Sequence, residues 1–250
     1  MKKHIYCKSL FVVLLIGSIV SCSPDNESKS GFSYGSLEYE GQTYKTIKIG
    51  SQTWMAENLN YKAEGSRCYG EDGKVVKVYG GSDFVTLSTV EIQANCDKYG
   101  RLYDLVTAMN LPSDCYYPHY CADQVQLKHR GICPENWHLP SIDEWEQLMD
   151  FAGGINKAGK KLKATSGWKD GGPGIGNCGT DDYGFSALPG GRGNGVNIFA
   201  DVGAEGAWWS SSYGASSNGA IFEMYYHSHI LYGPASTAKG TLNSVRCLQD

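Results

Sequence analysis

Between residues 44 and 55 apolar and polar positions alternate. Tyr44-Lys45-Thr46-Ile47-Lys48-Ile49 reads as a strand, Gly50-Ser51 as a two-residue turn, and Gln52-Thr53-Trp54-Met55 as the returning strand. The period then changes. Arg101 to Met109 sets Leu102, Leu105, Val106 and Met109 on one face, which predicts a helix. A second helix is predicted after Pro140, where Ser141 and Glu144 form a capping box. Its apolar stripe is Ile142, Trp145, Leu148 and Met149, and Gly153-Gly154 ends it. From Gly167 to Gly219 glycine is dense, which predicts loops and short strands. Ile221 to Ile230 alternates again. Phe222, Met224, Tyr226 and Ile230 share one face, while Glu223, Tyr225, His227 and His229 share the other. Thr241 to Leu248 reads as a last strand. Short antiparallel strands, two main helices and long glycine-rich loops define an α+β class.

The N-terminus carries a different pattern. Lys2, Lys3 and Lys8 precede an apolar run from Leu10 to Val20, too short to span a bilayer and suited to a signal-peptide core. The run ends in Ile19-Val20-Ser21-Cys22, which resembles a bacterial lipoprotein box. The expectation is cleavage before Cys22 and acylation of that residue, palmitate included. Several acyl chains give stable anchoring, at about 0.8 kcal/mol per buried methylene. Ser23 is not the Asp linked to inner-membrane retention in some bacteria, so an outer-membrane, surface-exposed position is expected. Residues 1–21 are therefore read as signal peptide, 22–36 as a polar tether and 37–250 as one folded domain.

Composition narrows the function classes. Lys+Arg 22 against Asp+Glu 26 gives a net charge of −4, which argues against nucleic acid as a partner. Gly 32, Tyr 17 and Trp 6 fit a loop-rich, aromatic-rich domain. Nine cysteines point to an oxidising compartment.

Five stretches resemble the Fibrobacter succinogenes major paralogous domain family. They run from Tyr44 to Leu59, Cys96 to Tyr103, Gly131 to Ser141, Asp182 to Gly191 and Ser244 to Cys247, and together span about residues 40–248. The resemblance implies an extracytoplasmic, often lipid-anchored bacterial protein with many paralogues, and a family largely without assigned biochemistry. More distantly, the capped helix, glycine-rich middle and closing Arg246-Cys247 strand look similar to C-type-lectin-like and sulfatase-modifying-factor folds, a fold-level analogy without function of its own.

With Cys7 in the signal peptide and Cys22 lipidated, seven cysteines remain. Spacing alone does not fix their pairing. The pairing hypothesis is Cys68 with Cys96, Cys115 with Cys121, and Cys133 with Cys247, leaving Cys178 over. No Cys-x-x-Cys pair offers zinc a site instead.

Catalytic motifs are weak. Gly31-Phe32-Ser33-Tyr34-Gly35 matches a nucleophile elbow but sits in the tether. Gly174 to Gly179 matches a dinucleotide fingerprint without its strand and helix. Gly154 to Lys160 resembles a P-loop, yet Lys161 stands where Ser or Thr should hold magnesium. Pro134-Glu135-Asn136 and Trp208-Trp209-Ser210-Ser211 lack the order and carboxylates of a calcium-dependent sugar site. His227 and His229 have zinc-chelating spacing, with His119 or Glu223 as the third ligand required, but two exposed polar residues is the stronger reading. His138 reads as a structural hydrogen-bonding residue. No cofactor, metal or catalytic residue is expected.

What remains is an aromatic surface. One of Trp208 and Trp209, with Tyr226, is expected in the core. The ligand-binding set is then Trp209, Tyr213, Glu223, Tyr225, His227, His229 and Tyr232. The expected function is a lipid-anchored, cell-surface, non-catalytic binding module for plant-fibre glycan or a surface protein. The alternatives are a glycan-active or sulfatase-modifying-factor-like enzyme, favoured by paired carboxylates with raised pKa values, and a structural envelope protein.

Overall fold

A computed structural model describes residues 32–76, 83–116, 121–170, 179–213 and 218–250. The signal sequence, Cys22, most of the tether, His119 and Cys178 lie outside the described residues. No helix among the described residues is long and apolar enough to cross a membrane.

The strands are β1 (Gly35–Tyr39), β2 (Gln42–Ile49), β3 (Gln52–Met55), β4 (Lys74–Val76), β5 (Phe84–Val85), β6 (Trp137–His138), β7 (Arg192–Gly193), β8 (Ile198–Ala200), β9 (Glu205–Tyr213), β10 (Gly219–Tyr225), β11 (Tyr232–Thr237) and β12 (Leu248–Gln249). The helices are α1 (Thr89–Tyr99), α2 (Leu105–Ala108), α3 (Ile142–Phe151) and α4 (Ile155–Leu162). The architecture is α+β. An antiparallel sheet runs β1-β2-β3-β12-β6, a second runs β11-β10-β9, and a mixed one runs β5-β4-β8-β7.

The β2–β3 hairpin forms as its alternation predicts, with Ile49 opposite Gln52 and Gly50 at φ 61° in the turn. The Ser141–Glu144 capping box is present, and Trp145 and Leu148 are its fully buried stripe. The helix predicted from Arg101 is shorter. Leu102 and Tyr103 are extended and bridge Arg67 and Asn243, and only after Asp104, whose carboxylate accepts from Thr107 N at 2.8 Å, does the four-residue α2 begin. Two further helices were not anticipated: α1, with its own Ser88–Glu91 capping box, and α4, which occupies the P-loop-like stretch. The closing segment forms only the two-residue β12, preceded by single bridges at Leu242, Asn243 and Ser244. The chain enters the fold slightly before the expected tether end, because β1 begins at Gly35 and Phe32 packs against the core.

The β11-β10-β9 sheet has core on both faces. Successive β9 residues point opposite ways, so Trp208 enters one cluster with Trp54, Trp145, Phe185 and Phe222, while Trp209 enters another with Met55, Tyr103, Ile221 and Val245. Both indoles are 0% exposed. Phe222 stacks on Trp145 at 5.3 Å and 17°.

The three disulfides are those hypothesised: Cys68–Cys96, Cys115–Cys121 and Cys133–Cys247. The last closes 114 residues and contributes on the order of 4–5 kcal/mol in the chain-entropy account. His138 is structural, as read: Nδ1 meets Asp250 Oδ1 at 2.7 Å and Nε2 meets Glu144 Oε1 at 2.9 Å. Burial opposes its charge, but the two carboxylates raise its pKa, and the contact helps hold Glu144 down at about 2.

At the centre, Arg246 is 0% exposed. Its Nε and Nη2 donate to Asn58 Oδ1 at 3.2 and 2.8 Å, and its Nη1 donates to the Phe185 carbonyl. Asn58 Oδ1 also accepts from Trp208 Nε1 at 2.8 Å. Asn58→Ala removes that acceptor and leaves a buried guanidinium short of two of its hydrogen bonds. The expected loss is about 3–5 kcal/mol, read by urea denaturation. A loss below about 1 kcal/mol, the range of an ordinary substitution, would show that the fold does not depend on this contact.

Candidate functional site

The candidate site is the end of the β9–β10 ladder. Tyr225 lies opposite Glu205, and Glu223 opposite Ala207 on one side and Tyr232 on the other. Residues directly opposite in an antiparallel pair share a face. Towards Trp209 and Ile221 that face is core, but towards Glu205 and Tyr225 it turns polar. Here the sheet meets β7 and the turn after β8, which bring Arg192 and Asp201. Arg192 Nε lies 3.4 Å from Glu205 Oε2, and its Nη2 lies 3.5 Å from Asp201 Oδ2. Arg192 is 38% exposed, whereas the two carboxylates are 7% or less.

Burial sets the electrostatics. It pushes the Glu205 carboxyl up to about 7; Arg192 opposes this, and the nearby Glu223 and Asp201 add to it. Glu223 is also raised, again chiefly by burial, against the Tyr225 hydroxyl and Arg192. Burial and the two glutamates raise the Tyr225 phenol. Arg192 is held charged by Glu205 and Asp201 despite its own partial burial. Glu205 Oε1 and Asp201 Oδ2 are buried and make no hydrogen bond among the described residues.

An aromatic rim adjoins these groups. Tyr225 meets Tyr232 edge-on at 5.5 Å and His227 at 5.8 Å, and His227 meets Tyr226 at 4.9 Å. Tyr232 Oη pairs with Ser228 Oγ at 3.1 Å. The turn is braced from beneath. Lys163, 1% exposed, donates to the carbonyls of Tyr225 and Ser228 and sits 4.7 Å from the centre of the Trp168 ring. Burial lowers its pKa to about 8. Gly159 of α4 lies directly against the Ile230 backbone, where any Cβ would collide, so the turn and helix pack without a gap.

The structure brings Glu223, Tyr225, His227 and Tyr232 together. Trp209 does not: it is in the core, and its indole N–H donates to the Tyr103 carbonyl at 2.6 Å. Tyr213 stands at the other end of β9, under Lys239 at 5.5 Å. β10 stops at Tyr225, so His227 and His229 lie in the turn beyond it and not on a strand face. The His229 carbonyl accepts from Lys160 N of α4 at 3.1 Å. The one metal-type grouping among the described residues is Asp114, Cys115 and Cys121, whose thiols are consumed by the disulfide. Arg192, Asp201 and Glu205 were missed. They sit in glycine-rich sequence without a periodic signal, and only the strand register joins them to Glu223.

The molecule is thus a disulfide-stapled α+β domain with a half-buried cluster of charge at a sheet end. Residues 47–249 match the Fibrobacter succinogenes major domain, and the chain belongs to that family. No curated protein and no solved structure matches it.

Because the Glu205 pKa in the fold lies above its ordinary 4.5, ionising it costs the folded state more than the unfolded one. Its contribution is full below about pH 4.5 and is lost as pH rises through about 7. The shift corresponds to about 3 kcal/mol. Glu205→Gln should flatten that limb of the stability–pH curve measured by urea denaturation. An unchanged slope would place the neutral-range titration elsewhere.

Proposed function

We propose that the chain is a lipid-anchored, cell-surface, non-catalytic binding module that holds a hydroxyl-rich glycan on the ledge formed by Tyr225, Tyr232, Glu223, Arg192 and His227. The observation that carries this reading is the half-buried Tyr225–Tyr232 pair beside buried charge. A tyrosine offers a flat apolar face for a sugar ring at little entropic cost, and its hydroxyl stays polar. Glu223 and Arg192 supply an acceptor and a donor at its edge. The likeness to C-type-lectin-like folds belongs to this proposal. The lipid anchor at Cys22 and the outer-membrane position rest on the leader sequence.

A second reading has its own support. A carboxyl held at about 7 next to another raised carboxyl is what an acid–base pair for glycoside cleavage requires. Glu205, however, is 1% exposed, and both catalytic carboxyls must reach the substrate. The burial favours binding over cleavage.

Tyr225→Ala should weaken binding of neutral cell-wall glycan by about 1–3 kcal/mol, measured by glycan array and isothermal titration. It should cost less stability than Phe222→Ala, which opens a cavity beside Trp145 worth about 3–5 kcal/mol. Equal destabilisation, or unchanged glycan binding, would sink the ledge. Release of sugar by the wild type that Glu205→Gln abolishes would move the reading to the enzyme. The anchor has a separate check. Cys22→Ala should stop incorporation of labelled palmitate and free the protein from membranes, and continued labelling would overturn it.

A further inference from the structure

We propose that a second cleft, remote in sequence from the ledge, binds a carboxylate-bearing sugar. The cleft has a volume of about 360 Å³ and is lined by Tyr39, Tyr61, Asn110, Gln124, Gln126 and Arg130, among others. That is near the small end of the range for ligand pockets, roughly 300–1,000 Å³. None of its residues belongs to the ledge.

Its walls are fixed before any ligand arrives. Tyr39 Oη donates to the Ile132 carbonyl at 3.2 Å. The Tyr61 carbonyl accepts from Tyr103 Oη at 2.7 Å and from Ala63 N at 2.9 Å. The two rings lie 5.4 Å apart and tilted by 53°, so they form a corner and not a closed stack. His129 braces the floor. Its Nε2 meets the Met109 carbonyl at 2.8 Å, and its Nδ1 accepts from Gln126 N at 3.4 Å. Gly131, at φ 55°, presses its backbone against Ala108 where a Cβ would not fit. A preformed wall spares the ordering cost of binding.

The chemistry selects the ligand. Tyrosine faces stack on the C–H face of a pyranose. The exposed amides of Asn110, Gln124 and Gln126 can each donate to and accept from hydroxyls. Arg130 supplies the discriminating charge. Its Nε is tied to the Cys133 carbonyl at 3.0 Å, and its Nη1 and Nη2 have no hydrogen-bond partner among the described residues. That leaves a planar fork, anchored at its base and open at its tip, which matches a carboxylate bidentately. A single negative charge fits better than a dianion. One guanidinium is present, and Glu40 on the β1–β2 turn is near enough to disfavour the Tyr39 phenolate. The class is a uronic-acid residue of an acidic polysaccharide.

The full chain in detergent would be titrated with trigalacturonic acid and with its neutral methyl ester, by isothermal calorimetry. The acid should bind at least about tenfold more tightly than the ester. Arg130→Gln should remove that difference while leaving ester binding unchanged. Arg130→Lys, which keeps the charge but not the fork, should lose part of it. Tyr225→Ala should leave acid binding intact, which separates this cleft from the ledge. Equal affinity for acid and ester, no binding of the acid, or an Arg130→Gln protein with wild-type preference and melting temperature would overturn the proposal. So would loss of acid binding in Tyr225→Ala, because the acid would then sit on the ledge.

Discussion

A single guanidinium organises this fold. Arg246 stands where the five family stretches meet, stacked 4.3 Å from the Phe185 ring and 5.9 Å from Trp208. Asn58 from the first stretch accepts its Nε and Nη2. Through its own amide nitrogen Asn58 donates to the Tyr99 carbonyl of the second stretch at 2.9 Å and to Ser244 of the last at 3.3 Å. Phe185 in the fourth stretch supplies a carbonyl. Cys247, the neighbour of Arg246, is bonded to Cys133 in the third. Burial lowers the Arg246 pKa to about 9, so it stays charged at neutral pH and must find oxygen atoms inside the core. Elements far apart in sequence are thereby obliged to meet at one point.

The same physics recurs wherever loops replace regular structure. A loop-rich interior leaves carbonyls without ladder partners, and buried carbonyls need donors. Long cationic side chains supply them. Lys163 serves Tyr225 and Ser228, Lys239 serves Cys115, Arg101 serves Ser66, and Arg130 serves Cys133. These cations use neutral oxygens, and Arg101 also takes a carboxylate, Glu71, at 2.6 Å. A glycine-rich chain with few long strands can hold a dense core on these terms.

Much of the frame was legible because its signals are local. The Ile47 to Trp54 alternation, the Ser141–Glu144 box and the long family stretches each declare themselves within a few residues. The misplacements are non-local. Two adjacent tryptophans look like one inside and one outside, and only a sheet buried on both faces takes both Trp208 and Trp209 inward. The alternation through His229 looks continuous in sequence. Lys163 and α4, contributed from some 60 residues upstream, bend the chain after Tyr225 and end the strand there. Arg192, Asp201 and Glu205 carry no pattern at all, because their association is non-local: β7–β8 pairing sets Arg192 beside the turn that holds Asp201, and the Gly191–Gly206 bridge sets both against Glu205 at the start of β9.

That difference bears on where function lies. At Arg246 all three nitrogens are bonded, so the buried charge at the centre of the fold is satisfied. At the sheet end it is not. Among the described residues, the buried carboxyl oxygens without a hydrogen bond are Glu205 Oε1 and Asp201 Oδ2, and both are there. A carboxylate buried beside two others costs stability, and an apolar or amide side chain at Glu205 would relieve it. A domain that satisfies one buried charge with several hydrogen bonds and leaves another with a single long ion pair, Arg192 at 3.4 Å, is giving up stability at a particular place. Strained buried charge of this kind gathers at functional sites more often than elsewhere, which is the physical ground for proposing a ligand at this sheet end.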